Sequence, residues 1–219
     1  MRIAFATDGI FLHALGGIQR HTALLAAELA RAGDDVEVLA PAGHDAGSYP
    51  FAVRPLPWPR SGTYPLRLWR WAALCADAIA ASDYDVVYGQ GLTLLGRLPD
   101  GAPPSLFNPH GLELCTVPGA VARLKAWPLR VGARRQARQA SRTVSLGGRL
   151  DRILVDCLGV PPERVVVIPN GVDPASFAGD HTERDPRLVL FVGRLFANKG
   201  ADVLCRAAAQ LPPDVRIVI

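Results

Sequence analysis

Short apolar runs alternate with stretches of helical spacing along almost the whole chain, and this alternation leaves few folds open. Ile3 to Ala6 is such a run. A turn-rich stretch, DGIFLHALGG, follows it. Ile18, Thr22, Leu25 and Leu29 then recur on one helical face, and Gly33 supplies a C-terminal stop. VEVLAP, Val36 to Pro41, is the next strand and ends on proline. Strand, glycine loop, helix, strand is a βαβ unit, and successive units of this kind build a parallel sheet. The pattern predicts a helix from Leu66 to Ala81, a strand at DVVYG from Asp85, a strand from Ser105 to Asn108, and a helix from Ala120 to Ala140 broken at Pro128. A strand from Thr143 to Leu146, a helix from Gly148 to Leu158 and a strand from Val165 to Ile168 complete the series. Uninterrupted apolar strands suit the middle of a sheet covered on both faces.

After Pro169 the sequence turns polar, and a fresh cycle then begins: LVLFVG as strand, Lys199 to Leu211 as helix, VRIVI as strand. The expected organisation is α/β, with a Rossmann-like parallel sheet over residues 1–172, a linker over 173–186 and an incomplete second α/β domain over 187–219.

Composition is that of a globular protein, with 49% apolar and 20% charged residues. The net charge of +4 is unevenly placed. Between Leu114 and Leu150 there is no acidic residue, while Arg123, Lys125, Arg130, Arg134, Arg135, Arg138, Arg142 and Arg149 fall there. Cys75, Cys115, Cys157 and Cys205 are scattered without a CxxC pair or a zinc-type spacing, which favours a reducing compartment. MRIAFATDG meets Asp8 before a signal-peptide core forms, and no run approaches a membrane span. The expected address is the cytoplasm, with contact at a membrane surface left open.

Four stretches carry candidate chemistry. In LGGIQRH, Gly16 and Gly17 precede a helix whose free N–H groups and dipole suit a phosphate; a tight βα turn explains them equally simply. In FNPHGLE, His110 follows a strand and so lies at the sheet edge where ligands bind in open α/β folds, able to hydrogen-bond a hydroxyl or move a proton; a satisfied loop histidine is the plainer alternative. VVVIPNGVD is a strand and an Asn-Gly turn. In FVGRLFANKG, Arg194 and Lys199 place two cations beside a helix start, which would neutralise a diphosphate unless they are ordinary surface charges.

Taken together, GGIQRHTALLAAELARAGDDVEVLAP, FNPHGLE, VVVIPNGVDPASF and LFVGRLFANKGADVLCRAA resemble the family 4 retaining glycosyltransferases of the GT-B fold, over nearly the whole chain. The resemblance implies a nucleotide-diphosphate-sugar donor and a glycan, lipid or small-molecule acceptor. It implies that Gly16 and Gly17 lie near the phosphates and the acceptor, that His110 acts at the transferring sugar, and that Arg194 and Lys199 grip the donor diphosphate. It implies no cofactor and no metal, because fixed cations stabilise the charge developing on the leaving phosphate. The family's later glutamate pair, which holds sugar and ribose, has no counterpart up to Ile219. The expectation is therefore a truncated chain, inactive alone. A catalytically silent acceptor-binding module that works with a partner donor domain stands as the alternative. A sugar-nucleotide epimerase fits the NGVD, GR and KG series less well.

Arg130, Arg134 and Arg138 share a helix face near Trp127, Leu124 and Val131, which fits either a solvated surface or a peripheral membrane contact. Nucleic acid is not expected, since no aromatic platform or helix-turn-helix pattern accompanies the charge.

Overall fold

The computed structural model describes residues 1–11, 16–43, 49–117, 119–172, 185–193, 195 and 199–219. The chain divides into two units, Met1–Asn170 and Gly171–Ile219.

The first unit is a seven-stranded, wholly parallel sheet. Its strands are β1 (Arg2–Ala6), β2 (Asp35–Pro41), β3 (Ala52–Leu56), β4 (Val86–Gln90), β5 (Ser105–Asn108), β6 (Arg142–Ser145) and β7 (Val165–Val167), in the order β3-β2-β1-β4-β5-β6-β7. The helices are α1 (Gly17–Arg31), α2 (Tyr64–Ala80), the single turn α3 (Glu113–Thr116), α4 (Ala120–Gln139) and α5 (Arg149–Asp156). Strand alternation splits the core into layers. Ile3 and Phe5 pack with Val36, Val38 and Ala40 against Ala26 and Ala27 of α1. Ala4, Ala6 and Leu39 point the other way and pack with Trp71, Cys75 and Ile79 of α2, the two alanines leaving room for the indole. Successive residues of a strand face opposite sides, so one apolar run serves both layers.

Two elements differ from expectation. The edge strand β3, AVRPL, has no alternating apolar signature, because an edge strand is covered less and tolerates Pro55. Helix α4 is continuous through Pro128, where a break was expected. Proline removes only the bond to the Leu124 carbonyl, and the following turns are held by the buried Gly132, Ala133, Gln136 and Ala137. Close packing fixes those turns: a Cβ on Gly132 would lie 2.5 Å from Leu95 Cδ2, and one on Gly96 would lie 2.3 Å from Arg135 Cβ. Gln136 bridges the same contact, accepting from Leu95 N (2.8 Å) and donating to Gly91 O (3.2 Å).

The second unit consists of β8 (Leu188–Leu190), α6 (Ala201–Ala208) and β9 (Arg216–Val218), with the two strands parallel. None of its described residues is buried. Among the described residues no helix is long and apolar enough to cross a membrane.

Candidate functional site

The strand order reverses direction at β1 and β4: β2 and β3 extend to one side of β1, and β5 to β7 to the other side of β4. In such sheets the crevice outside the strand C-termini at this point is the ligand site. Thr93 closes its floor, its hydroxyl lying 2.9 Å from both Ala6 O at the end of β1 and Gln90 O at the end of β4.

His110 arrives from β5. Asn108, the last residue of that strand, pairs in register with Gln90 and accepts from His110 N through Oδ1 (3.1 Å), a local Asx turn that reverses the chain. The turn sets His110 in the left-handed region at φ 56 and swings its ring back over the sheet edge. There His110 Nε2 meets Gln90 Oε1 in a hydrogen bond. The His21 ring of α1 packs edge-on to His110, with centroids 4.8 Å apart.

Burial, and secondarily the His21 ring, pushes the His110 imidazole down to about 4, so it is neutral at neutral pH. Burial lowers His21 as well. At the end of β1, burial raises the Asp8 carboxyl above the usual range, against the opposing hydrogen bond from Gln19 Nε2 (3.2 Å).

Gly16 and Gly17 open α1 at the same edge. Gly16 is extended, at φ 170, so neither glycine is needed for an unusual backbone. Their role here is space. Among the described residues a Cβ on Gly17 would meet nothing within 4 Å, and one on Gly16 would meet the movable end of Gln19. Among the described residues no side chain caps α1, and no acidic residue lies in its first turn, which suits its N–H groups to an anion.

The structure thus brings Gly16, Gly17 and His110 to one sheet edge, together with Asp8, Gln19, His21 and Gln90, which the sequence reading did not single out. Gln90 was within reach of that reading, since it ends the apolar run DVVYGQ at a strand C-terminus. Lys199 is exposed, next to Gly200, the left-handed N-cap of α6 at φ 80. Arg194 lies outside the described residues, as does most of the expected linker.

Cys115 of α3 and Cys157 at the end of α5 form a disulfide across 42 residues. Such bonds belong chiefly to oxidising compartments, so the cysteines no longer argue for a cytoplasmic address.

The profile described as Glycosyltransferase Family 4 matches residues 15–176. The chain belongs to that family. A phosphatidyl-myo-inositol mannosyltransferase of Mycolicibacterium smegmatis is 29% identical over 230 residues, covering 93% of this chain and 55% of that protein. A D-inositol 3-phosphate glycosyltransferase of Kineococcus radiotolerans is 37% identical over 91 residues, covering 37% of this chain and 21% of that protein. The crystal structure of Anabaena HepE in complex with UDP and glucose superposes with a TM-score of 0.68 at 19% identity, over 98% of this chain and 59% of that one. The family 4 chain therefore spans little more than half the length of the relatives it matches along its whole extent.

Proposed function

We propose that the protein acts as a retaining glycosyltransferase, moving a sugar from a nucleoside diphosphate to a glycan, lipid-linked or small-molecule acceptor. The observation that carries this reading is the convergence of the open α1 N-terminus, His110 and its partners at the β1/β4 switch point of a family 4 chain. In this reading the bond between the anomeric carbon and the diphosphate oxygen breaks, and the acceptor oxygen bonds to the same face. The acceptor proton passes to the departing phosphate. Arg194 and Lys199 offset the charge that develops there, so no metal is required. His110, neutral and fixed, hydrogen-bonds a hydroxyl of the reacting sugar.

Orientation between donor and acceptor is worth about 7 to 11 kcal/mol in such transfers. None of the second unit's described residues is buried, and the chain spans 55% of the mannosyltransferase it matches along nearly its whole extent. Transfer is therefore expected from a form carrying a complete donor unit, and not from these 219 residues by themselves. The test is turnover with UDP-, GDP- and ADP-sugars in both forms. D-inositol 3-phosphate and phosphatidylinositol are the first acceptors to try, since the relatives' names specify them. Arg194→Ala and Lys199→Ala should each abolish most turnover in the complete form. Activity indifferent to both would overturn the donor assignment, and robust turnover by the short form would overturn the requirement for a second wall.

A peripheral contact with anionic lipid is the second part of this reading. Val121, Leu124 and Trp127 of α4 are 68%, 74% and 61% exposed. At 100° per residue, Leu124, Trp127, Arg134 and Arg138 fall within an arc of about 80°, opposite the buried face of Gly132, Ala133, Gln136 and Ala137. Apolar turns that lead into basic ones, with no acid between Leu114 and Leu150, match an anionic surface. Trp127 is the exposed one among Trp58, Trp69, Trp71 and Trp127. Its emission should shift to the blue with phosphatidylglycerol vesicles at low salt, and Trp127→Phe or Leu124→Glu should remove the shift. An equal response to phosphatidylcholine, or none to either, would refute the contact.

A further inference from the structure

We propose that Gln90 is the positioning residue of His110, fixing it as the Nε2-protonated tautomer so that Nδ1 is the atom that accepts a hydrogen bond from a substrate hydroxyl. This rests on the transferase reading only for the identity of that substrate; the tautomer is argued from the Gln90 amide oxygen that faces the ring.

The Gln90 carboxamide is 1% exposed and sits at the last residue of β4, one strand from Asn108. Its Oε1 faces His110 Nε2. A carbonyl oxygen only accepts, so the ring nitrogen opposite it must carry the proton. In a neutral imidazole the other nitrogen is then a lone-pair acceptor. Nδ1 makes no hydrogen bond among the described residues. The turn made by Asn108 prevents the ring from drifting away, and the edge-on ring of His21 bears on it from α1.

Two strand ends and one helix therefore cooperate on one imidazole. The backbone turn comes from β5, the proton-fixing amide from β4, and the ring wall from the helix that follows β1. Gln90 Nε2 and His21 Nε2 are buried in this same cluster without partners among the described residues. Unsatisfied polar atoms of this kind are uncommon in stable interiors and mark places where a bound molecule or water completes the network. The arrangement has a consequence for specificity. A histidine held this way offers an acceptor to a hydroxyl and has no proton on Nδ1 to offer a phosphate oxygen.

The experiment is nitrogen-15 correlation NMR of the histidine rings in the 219-residue chain without substrate, with the His110 signals assigned by His110→Asn. At pH 7 the His110 ring should show a protonated Nε2 and an unprotonated Nδ1. Gln90→Leu should lose this, giving an averaged tautomer. Gln90→Glu keeps the acceptor and adds a charge, so it should retain the Nε2-protonated form and raise the ring's pKa. The glutamate variant guards against failure of the leucine variant to fold. A protonated Nδ1 in the wild type, an unchanged tautomer in Gln90→Leu, or an unchanged titration in Gln90→Glu would each overturn the assignment. Turnover is not read in this experiment, so a failed transfer assay and a failed tautomer assignment are separate results.

Discussion

A neutral, half-buried His110 should make the first unit lose stability in acid by an amount the structure sets. The unfolded imidazole takes up its proton near 6.5. The folded one does so only at about 4. Between these values the unfolded chain binds more protons, so stability is full above 6.5 and falls as the pH is lowered through that window. At pH 4.5, two pH steps at 1.36 kcal/mol each, less the fraction of folded rings already protonated, give about 2.5 kcal/mol. His110 is only partly enclosed, and solvent screening reduces this to about 1–2 kcal/mol.

His110→Asn isolates the effect, because asparagine tolerates the left-handed backbone at φ 56 that most residues resist. The assay is urea unfolding at pH 7.5 and 4.5, followed by tryptophan emission. Trp58, Trp69, Trp71 and Trp127 all lie in the first unit, so the signal reports that unit alone. Asp8, raised by burial, titrates in both proteins and largely cancels, while His21 touches the substituted ring, so any change in its titration is read together with that of His110. The variant will carry a constant loss from the missing ring, but its acid-induced loss should be smaller than the wild type's by about 1–2 kcal/mol. Parallel losses in the two proteins would mean that the ring titrates normally. The neutral hydrogen-bonding role would then fail with it.

Reduction, or Cys115→Ser, should destabilise the first unit by up to about 4 kcal/mol, the loop-closure entropy of a bond that spans 42 residues; an unchanged urea midpoint would show that the bond does not form. In the native oxidised chain a thiol reagent should label Cys205 and spare Cys75, whose thiol is buried and held protonated. Gly96→Ala should cost about 2–4 kcal/mol, since it combines a left-handed backbone with a Cβ placed 2.3 Å from Arg135 Cβ and 2.7 Å from its carbonyl carbon; a neutral substitution would refute the close packing of α4 on that loop.

The parts of this fold that the sequence discloses are those in which one residue's neighbours along the chain settle its place. Strands β1, β2, β4 and β5 are apolar because both faces are covered, and α1 shows its buried stripe because one face is. Where covering is partial the signal fades. Strand β3 at the sheet edge carries Arg54 and Pro55 and reads as loop. Helix α4 carries Pro128 within a stretch whose exposed half makes little demand on the backbone, while its buried half keeps the helix going; local propensity named the break, and packing overrode it.

The site divides along the same line. His110 is legible because it follows a strand, and the Gly16-Gly17 turn because it precedes a helix. Their relation is not legible, since it depends on which strands are neighbours. Once β4 lies between β1 and β5, Gln90 is set beside Asn108, and the turn made by Asn108 carries His110 back to the amide. No spacing in the chain encodes that contact, which joins residues 20 apart. The disulfide is hidden for the same reason, because Cys115 and Cys157 meet only when α3 and α5 take their places around β6. His110 is thus marked by its neighbours in sequence, whereas the amide that meets its ring lies outside FNPHGLE. Substitutions at Gln90 or His21 should therefore alter the chemistry of His110 while every residue of FNPHGLE stays in place.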